Sequence, residues 1–199
     1  MKKENKYPIF CLIIFIAVFA WASANPYYPR DWFLESILSM IAVPILIFTY
    51  KKFRFSNTSY TLISIFLILQ AIGSHYTYSE VPIDFITQLF DFSRNHYDRL
   101  VHFLFGILIY LPILEVYRKI FNDKSKKLIT YLAPVVLITA LGGLFEVIEW
   151  IVAVLVEPDL GTAYLGTQGD VWDAQKDIFL KIISSLLIAF YIYKKRIIL

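Results

Sequence analysis

Six apolar segments, each close to the length of a membrane-spanning helix, dominate this sequence of 199 residues. An α-helix rises about 1.5 Å per residue and the hydrocarbon core of a bilayer is about 30 Å thick, so about 20 apolar residues cross it. Backbone polar groups in hydrocarbon must be hydrogen-bonded within the segment, which favours helices. The sequence therefore predicts an all-α integral membrane protein. The six predicted helices cover residues 7–24, 32–50, 60–75, 100–117, 129–156 and 178–193.

The composition agrees with lipid as the surrounding solvent. Hydrophobic residues make up 58% of the chain and charged residues 18%, compared with about 45–50% and about 25% in soluble domains. No polar block of domain size separates the apolar segments, so residues 1–199 are predicted to form one membrane domain. The net charge is +3, but the basic residues cluster at the ends of apolar segments, where topology and lipid head groups account for them. We therefore expect the lipid bilayer as a partner and no nucleic acid.

The distribution of lysine and arginine predicts the orientation. Most of the 19 basic residues lie at one set of helix ends, and four lie at the opposite set: Arg30, Arg94, Arg99 and Lys176. By the positive-inside rule both termini are cytoplasmic, and the loops 25–31, 76–99 and 157–177 face the outside. One alternative stays open, because the basic start, the apolar run and Ala22-Ser23-Ala24 also form the pattern of a cleaved signal peptide. Cleavage would leave five spans in the same orientation.

Ionisable residues near the outer ends of the predicted helices are the candidates for chemistry. A charge within the hydrocarbon costs about 2.5–3.5 kcal/mol on insertion scales, so such residues are functional candidates by default. His102 follows Asp98 by four residues, and Glu146 and Glu149 are three apart, so each pair shares one helix face. Arg99, next to Asp98, could form a supporting ion pair. These residues predict one polar site on the outer side.

Three aspartates at the entry to the sixth predicted helix extend this set. Asp170, Asp173 and Asp177 have the i, i+3, i+7 spacing of a single helix face. The segment before them, GTAYLGTQG (161–169), is rich in glycine and threonine, and we expect it to be non-helical and to fold over the outer site. A simpler interpretation is that Asp170 and Asp173 cap the helix and complement its dipole.

A histidine surrounded by carboxylates suits two kinds of chemistry. The set has the ligand types for a divalent cation, and it could equally supply a general acid and base. No cofactor follows from the sequence beyond such an ion. A structural alternative is that His102 hydrogen-bonds a glutamate and holds the helices together. The candidate metal ligands are His102, Glu146, Glu149, Asp170 and Asp173.

Three sequence blocks resemble a known family. HYDRLVHFLFG (96–106), GGLFEVIEW (142–150) and YLGTQGDVWDAQKD (164–177) resemble the YjdF-like family of bacterial inner-membrane proteins. The resemblance covers nearly the whole chain and implies a location in the bacterial cytoplasmic membrane.

A more distant likeness is to VanZ-like membrane proteins. Those proteins show an aspartate and a histidine at the start of one helix, a glutamate in a later helix, and an Asp-x-x-Asp before the last. Here Asp98 and His102 match the first element, Glu146 or Glu149 the second, and Asp170 with Asp173 the third, whereas Arg99 stands where VanZ-like proteins often have lysine. The likeness implies a role with an envelope lipid or glycan.

Three functions are therefore compatible with the sequence. The first is an outward-facing site that binds or acts on a lipid-linked or amphiphilic substrate. The second is a small cation or proton-coupled transporter. The third is a structural or partner-binding membrane protein without catalysis. The sequence leaves open whether the protein is an enzyme.

Overall fold

A computed structural model describes residues 6–89, 91, 93–121 and 127–195. Within these ranges the chain is helical and contains no β-strand. The helices are α1 (Lys6–Ala24), α2 (Pro29–Thr49), α3 (Asn57–His75), α4 (Asp84–Leu89), α5 (Tyr97–Leu108), α6 (Tyr110–Phe121), α7 (Lys127–Leu155), α8 (Pro158–Leu165) and α9 (Asp173–Lys195). The basic residues Lys2, Lys3, Lys124, Lys126 and Arg196, which contributed to the predicted orientation, lie outside the described residues.

Five segments of the described chain are long and apolar enough to cross a membrane: α1, α2, α3, the continuous stretch Tyr97–Phe121 and Leu128–Leu155. The prediction of an all-α membrane protein is confirmed. The sixth predicted span corresponds to α9, which begins at Asp173 instead of residue 178. This helix has 23 residues but is less apolar, because Asp177 and Lys181 lie within it and face the interior of the bundle.

The fourth predicted span is interrupted at Ile109, between α5 and α6. Pro112 causes the break, because proline has no N–H to donate to the carbonyl of Leu108 and its ring crowds the preceding turn. The backbone N–H groups of Ile109 and Ile113 still donate to the carbonyls four residues earlier, at 3.0 and 3.1 Å. The two short helices therefore act as one span.

The expectation of a non-helical segment over residues 161–169 is wrong in its first half, because α8 extends to Leu165. Pro158 suits the first turn of a helix, and Gly161 allows close packing on α7: a Cβ at this position would lie 2.5 Å from the carbonyl oxygen of Ala153. The helix ends at Gly166, whose φ of +58° favours glycine. The predicted outer loop 76–99 likewise contains a short helix, α4.

Contacts between helix termini define two ends of the bundle. At one end Tyr7 Oη lies 2.6 Å from Thr61 Oγ1, and the rings of Tyr131 and Tyr193 are 5.6 Å apart. At the other end the N–H of Tyr27 donates to the carbonyl of His75 at 3.1 Å. The first end carries most of the basic residues and is called the inner end, and the second is called the outer end.

Two apolar clusters fill the bundle. One lies between α1, α3 and α5 and includes Phe15, Ile63, Phe66 and Val101. The other lies between α6, α7 and α9 towards the inner end and includes Tyr110, Leu114, Ile138 and Ile192. The polar residues described next occupy the outer half.

Candidate functional site

A cavity of about 290 Å³ lies in the outer half of the bundle, between α2, α3, α5, α7 and α8. Most of its wall is apolar, and its ionisable lining residues are Glu35, Asp98, His102, Glu149 and Lys181. Helices α2 and α7 both line the cavity, but each packs mainly against other helices. Helix α2 packs on α3 and α8, and helix α7 packs on α6, α8 and α9. Leu144 and Ile148 line the cavity and are also about half exposed on the surface that faces lipid. The cavity therefore reaches the apolar surface of the bundle beside Leu144 and Ile148.

Two tyrosines cover the outer side of this cavity. Tyr164 comes from α8, and Tyr78 follows α3 with a φ of +49°, in the left-handed region that non-glycine residues seldom adopt. The ring of Tyr78 packs against Gly73, where any Cβ would lie 2.5 Å from the ring. Burial raises the pKa of both phenols, so both remain protonated and able to donate hydrogen bonds.

The pair Asp98 and His102 forms as the spacing predicted. His102 Nε2 lies 3.0 Å from Asp98 Oδ1, and His102 Nδ1 lies 4.0 Å from Glu146 Oε1. Asp177 from α9 joins this pair: one ligand atom from each of Asp98, His102 and Asp177 lies within 4.8 Å of the others. Asp177 is 2% exposed, and its Oδ1 has no hydrogen-bond partner among the described residues.

Glu146 has a second neighbour that the sequence analysis did not predict. Lys181 Nζ donates to Glu146 Oε1 at 2.6 Å, deep between α7 and α9. Gly142 leaves room for the lysine, because a Cβ there would lie 2.6 Å from Lys181 Cδ. Glu149 lies beside Glu146, one turn closer to the outer end, and lines the cavity.

Asp170 and Asp173 have different partners from Asp177. Arg94 Nη1 lies 2.6 Å from Asp173 Oδ1, and Arg99 donates to Asp170. The ammonium of Lys176, the N–H of Trp172 and the Arg99 guanidinium all donate to Asp170 and hold the pKa of its carboxyl below the usual value. Burial lowers the pKa of His96, and the positive charges of Arg99 and Arg94 lower it further. These charges form an ion-pair cluster at the outer surface.

This ion-pair cluster also fixes the segment that follows α8. Arg94 donates to the carbonyls of Thr167 at 3.1 Å and Gly166 at 3.5 Å. Gln168 Nε2 donates to the carbonyl of Asn95 at 3.0 Å. The end of α8 and the chain after it are therefore held in place by Arg94 and Asn95, which precede α5.

Two acidic residues of α2 were missed by the sequence analysis. Asp31 is fully buried and accepts a hydrogen bond from the Thr77 hydroxyl. Glu35 is 7% exposed and lines the cavity, and its carboxylate has no hydrogen-bond or ion-pair partner among the described side chains. Their i, i+4 spacing in an apolar segment was the available signal, the same one that identified Asp98 and His102.

The structure thus divides the predicted site residues into three groups. Asp98, His102 and Asp177 meet at the cavity wall, and Glu146 and Glu149 lie next to them. Asp170, Asp173 and Arg99 belong to the ion-pair cluster at the outer surface. A metal site shared by all five predicted ligands would require Asp170 and Asp173 to give up their ion pairs with the arginines. The group with ligand atoms close enough to hold an ion is Asp98, His102 and Asp177.

Comparisons with known proteins give the family. Residues 7–196 match the family described as "Predicted membrane protein (DUF2238)". The chain is 32% identical over 156 residues to the inner membrane protein YjdF of Escherichia coli (strain K12), which covers 78% of this chain and 74% of that protein. No solved structure matches the chain. The chain therefore belongs to the YjdF-like family of inner-membrane proteins.

Proposed function

We propose that this protein binds an amphiphilic molecule of the cell envelope at its outer side, with the polar head in the cavity and the apolar chain in the bilayer. The observation that carries the proposal is the composition of the cavity wall. Carboxylates such as Glu149 line the cavity, and Leu144 and Ile148 line it where we place its border with lipid. Pockets of about 300–1,000 Å³ with an apolar lining and a few polar groups are the usual size and type of a ligand site.

The carboxylates favour a head group that donates hydrogen bonds. Glu35 and Glu149 face the cavity, and within the described chain neither is paired with a lysine or arginine. A buried carboxylate is stabilised by a donor or a positive charge. An amine on the substrate would supply both a donor and a positive charge. Hydroxyls would supply donors without the charge, and a phosphate without donors would supply neither.

The pair Asp98 and His102 gives the site a means of proton transfer. A carboxylate that holds one imidazole nitrogen orients the ring and leaves the other nitrogen for chemistry. Here the other nitrogen, Nδ1, faces Glu146 at a distance of 4.0 Å. A role in acid–base chemistry on the bound head group is compatible with this arrangement, and the likeness to VanZ-like proteins points to the same kind of substrate.

A cation or proton-coupled transporter is the second candidate, supported by the Lys181–Glu146 pair in the middle of the bundle. The described residues of the inner half provide few polar side chains along which an ion could cross. One carboxylate of this half, Glu115, accepts hydrogen bonds from Ser56 and Ser59, and an apolar cluster that includes Leu114, Ile138 and Ile192 fills the space between α6, α7 and α9. Transport requires access from both sides of the membrane, so the binding site is favoured.

Native mass spectrometry tests the proposal with defined lipids. Phosphatidylethanolamine, whose head carries an amine, and phosphatidylglycerol are added in equal amounts to the purified full chain in detergent. We expect wild type to retain the former, and the double variant Glu35→Gln/Glu149→Gln to retain about a hundredfold less, because two lost charged hydrogen bonds at about 1.5 kcal/mol each total about 3 kcal/mol.

Two tryptophan variants control for the position of the ligand. Ala163→Trp places a large ring in the cavity, whereas Val136→Trp adds the same ring to a lipid-facing position of α7 that is 65% exposed and does not line the cavity. Ala163→Trp should abolish retention and Val136→Trp should preserve it. Equal retention of both lipids by wild type and all variants would show surface lipid alone and contradict the proposal.

A further inference from the structure

We infer that Asp98, His102 and Asp177 form a binding site for one divalent transition-metal ion at the wall of the cavity. The inference goes beyond amphiphile binding, because it concerns an ion that would neutralise the carboxylates at the cavity wall. One nitrogen and two oxygen ligands suit ions such as Zn²⁺ and Mn²⁺. The two helices that carry them, α5 and α9, pack closely along their length.

The geometry needs little change to hold an ion. Ligand atoms on opposite sides of an ion with bonds of about 2 Å are about 4 Å apart. One ligand atom of each of the three residues lies within 4.8 Å of the others, and His102 Nε2 is 3.0 Å from Asp98 Oδ1. Ligand atoms of a tetrahedral ion are closer, about 3.3 Å apart, so a closure of about 1.5 Å or less brings all three onto one ion.

Asp177 supplies the observation that points to a missing partner. Its side chain is 2% exposed, and its Oδ1 accepts no hydrogen bond from the described residues. A buried carboxylate oxygen without a partner is costly, because the desolvation of the charge is not offset. An ion between Asp177, Asp98 and His102 would supply that partner.

The charge balance of the interior agrees with a divalent ion. Among the three ligands and the Glu146–Lys181 pair there are three carboxylates, those of Asp98, Asp177 and Glu146, and one ammonium, Lys181, whereas Glu149 faces the cavity. With a neutral His102, two negative charges are therefore unbalanced. A divalent ion neutralises the group, and Lys181 stays paired with Glu146 at 2.6 Å. Buried charges are tolerated when they are paired in this way.

The site is of the open type. Asp98 and His102 line the cavity, so the coordination positions not taken by protein face the place where a ligand would bind. Metal sites with three protein ligands and a free position are typical of catalytic rather than structural ions. Glu146, 4.0 Å from His102 Nδ1, is placed to orient the imidazole.

Binding of Co²⁺ and Zn²⁺ to the purified full chain in detergent, after treatment with a chelator, tests the inference. We expect one Co²⁺ per chain with visible absorption, displaced by one equivalent of Zn²⁺. Asp177→Asn should weaken binding at least about tenfold, in the range seen for changes at metal sites. The matched control is Asp159→Asn, an exposed aspartate of α8, which should bind as wild type does.

A second variant decides the matter if Asp177→Asn fails to fold. His102→Cys places a thiolate among the ligands, and we expect a new cobalt–sulfur charge-transfer band. Wild type that binds neither Co²⁺ nor Zn²⁺, an Asp177→Asn variant that binds as tightly as wild type, or the absence of the thiolate band would each overturn the inference. Lipid retention is measured without metal, so failure of this site is distinguishable from failure of the proposed function.

Discussion

The two ends of the bundle hold their carboxylates in different ways. At the inner end both oxygens of Glu115 are occupied: Oε2 accepts from the N–H of Ser56 at 3.0 Å, and Oε1 accepts from the hydroxyls of Ser56 and Ser59 at 2.6 and 2.8 Å. In the outer half, Asp177 Oδ1 has no partner in the described chain, and Glu35 faces the cavity unpaired.

This difference distinguishes an acid with a structural role from the acids of the proposed site. Glu115 joins the start of α3 to α6, and its acceptors are satisfied, so nothing remains for a ligand to do. The outer carboxylates are incompletely satisfied and lie beside a cavity. A buried acceptor without a partner lowers stability, so its retention in a small membrane protein is expected where a substrate or ion completes it.

The largest expected effect concerns the contact that brings α5 and α9 together. A Cβ on Gly106 would lie 2.6 Å from the carbonyl oxygen of Lys181 and against Ser184. Gly106→Val should therefore force the helices apart and destabilise the protein by about 3 kcal/mol. Unfolding in a detergent titration measures this change.

Gly143 is the matched control, because a Cβ there meets no atom within 4 Å. Gly143→Ala should cost nothing, and it could add up to about 1 kcal/mol of helix propensity. If both variants unfold at the same point, the close packing of α5 on α9 does not hold the outer site together.

The next prediction compares the effect of a glutamate-to-glutamine substitution at one acid from each end of the bundle. Glu115→Gln should destabilise the protein by about 1–2 kcal/mol, because an amide cannot accept all three of the hydrogen bonds that the carboxylate accepts. Glu35→Gln should leave stability unchanged or raise it, because it removes a buried charge that has no described partner.

Unfolding curves of the two glutamine variants, recorded under identical conditions, give the comparison. A loss of stability in Glu35→Gln equal to that in Glu115→Gln would mean that the outer acid is structural as well. The third interpretation of the sequence, a polar cluster that merely binds helices together, would then be favoured.

Sequence patterns were sufficient to predict the membrane spans and the proximity of Asp98 and His102 on α5. Helix length and hydropathy follow from the thickness of the bilayer, and the spacing of Asp98 and His102 places them on one face whatever the tertiary structure. The start of α9 was predicted late because Asp173 and Asp177 looked like loop residues. They are helical because their charges point into the bundle, where Arg94 and His102 lie.

Partners from distant segments could not be predicted in the same way. The spacing of Asp170, Asp173 and Asp177 predicted one face, yet the first two pair with arginines and the third joins Asp98 and His102. Which acid meets which base depends on how α5, α7 and α9 are rotated about their axes, and hydropathy does not determine that rotation. Glu35 was missed because Asp31 and Glu35 lie in a segment, α2, that stays strongly apolar despite them.

The central claim, a carboxylate-lined cavity in the outer half of the bundle, is tested most directly by the accessibility of single cysteines. The natural cysteine, Cys11, is first replaced by alanine, and Glu149→Cys in the cavity is compared with Lys52→Cys, an exposed position at the inner end. A membrane-impermeant thiol reagent added to intact cells should label position 149, and should label position 52 after the membrane is permeabilised. Labelling of position 52 in intact cells, or of position 149 solely from the cytoplasmic side, would contradict the account.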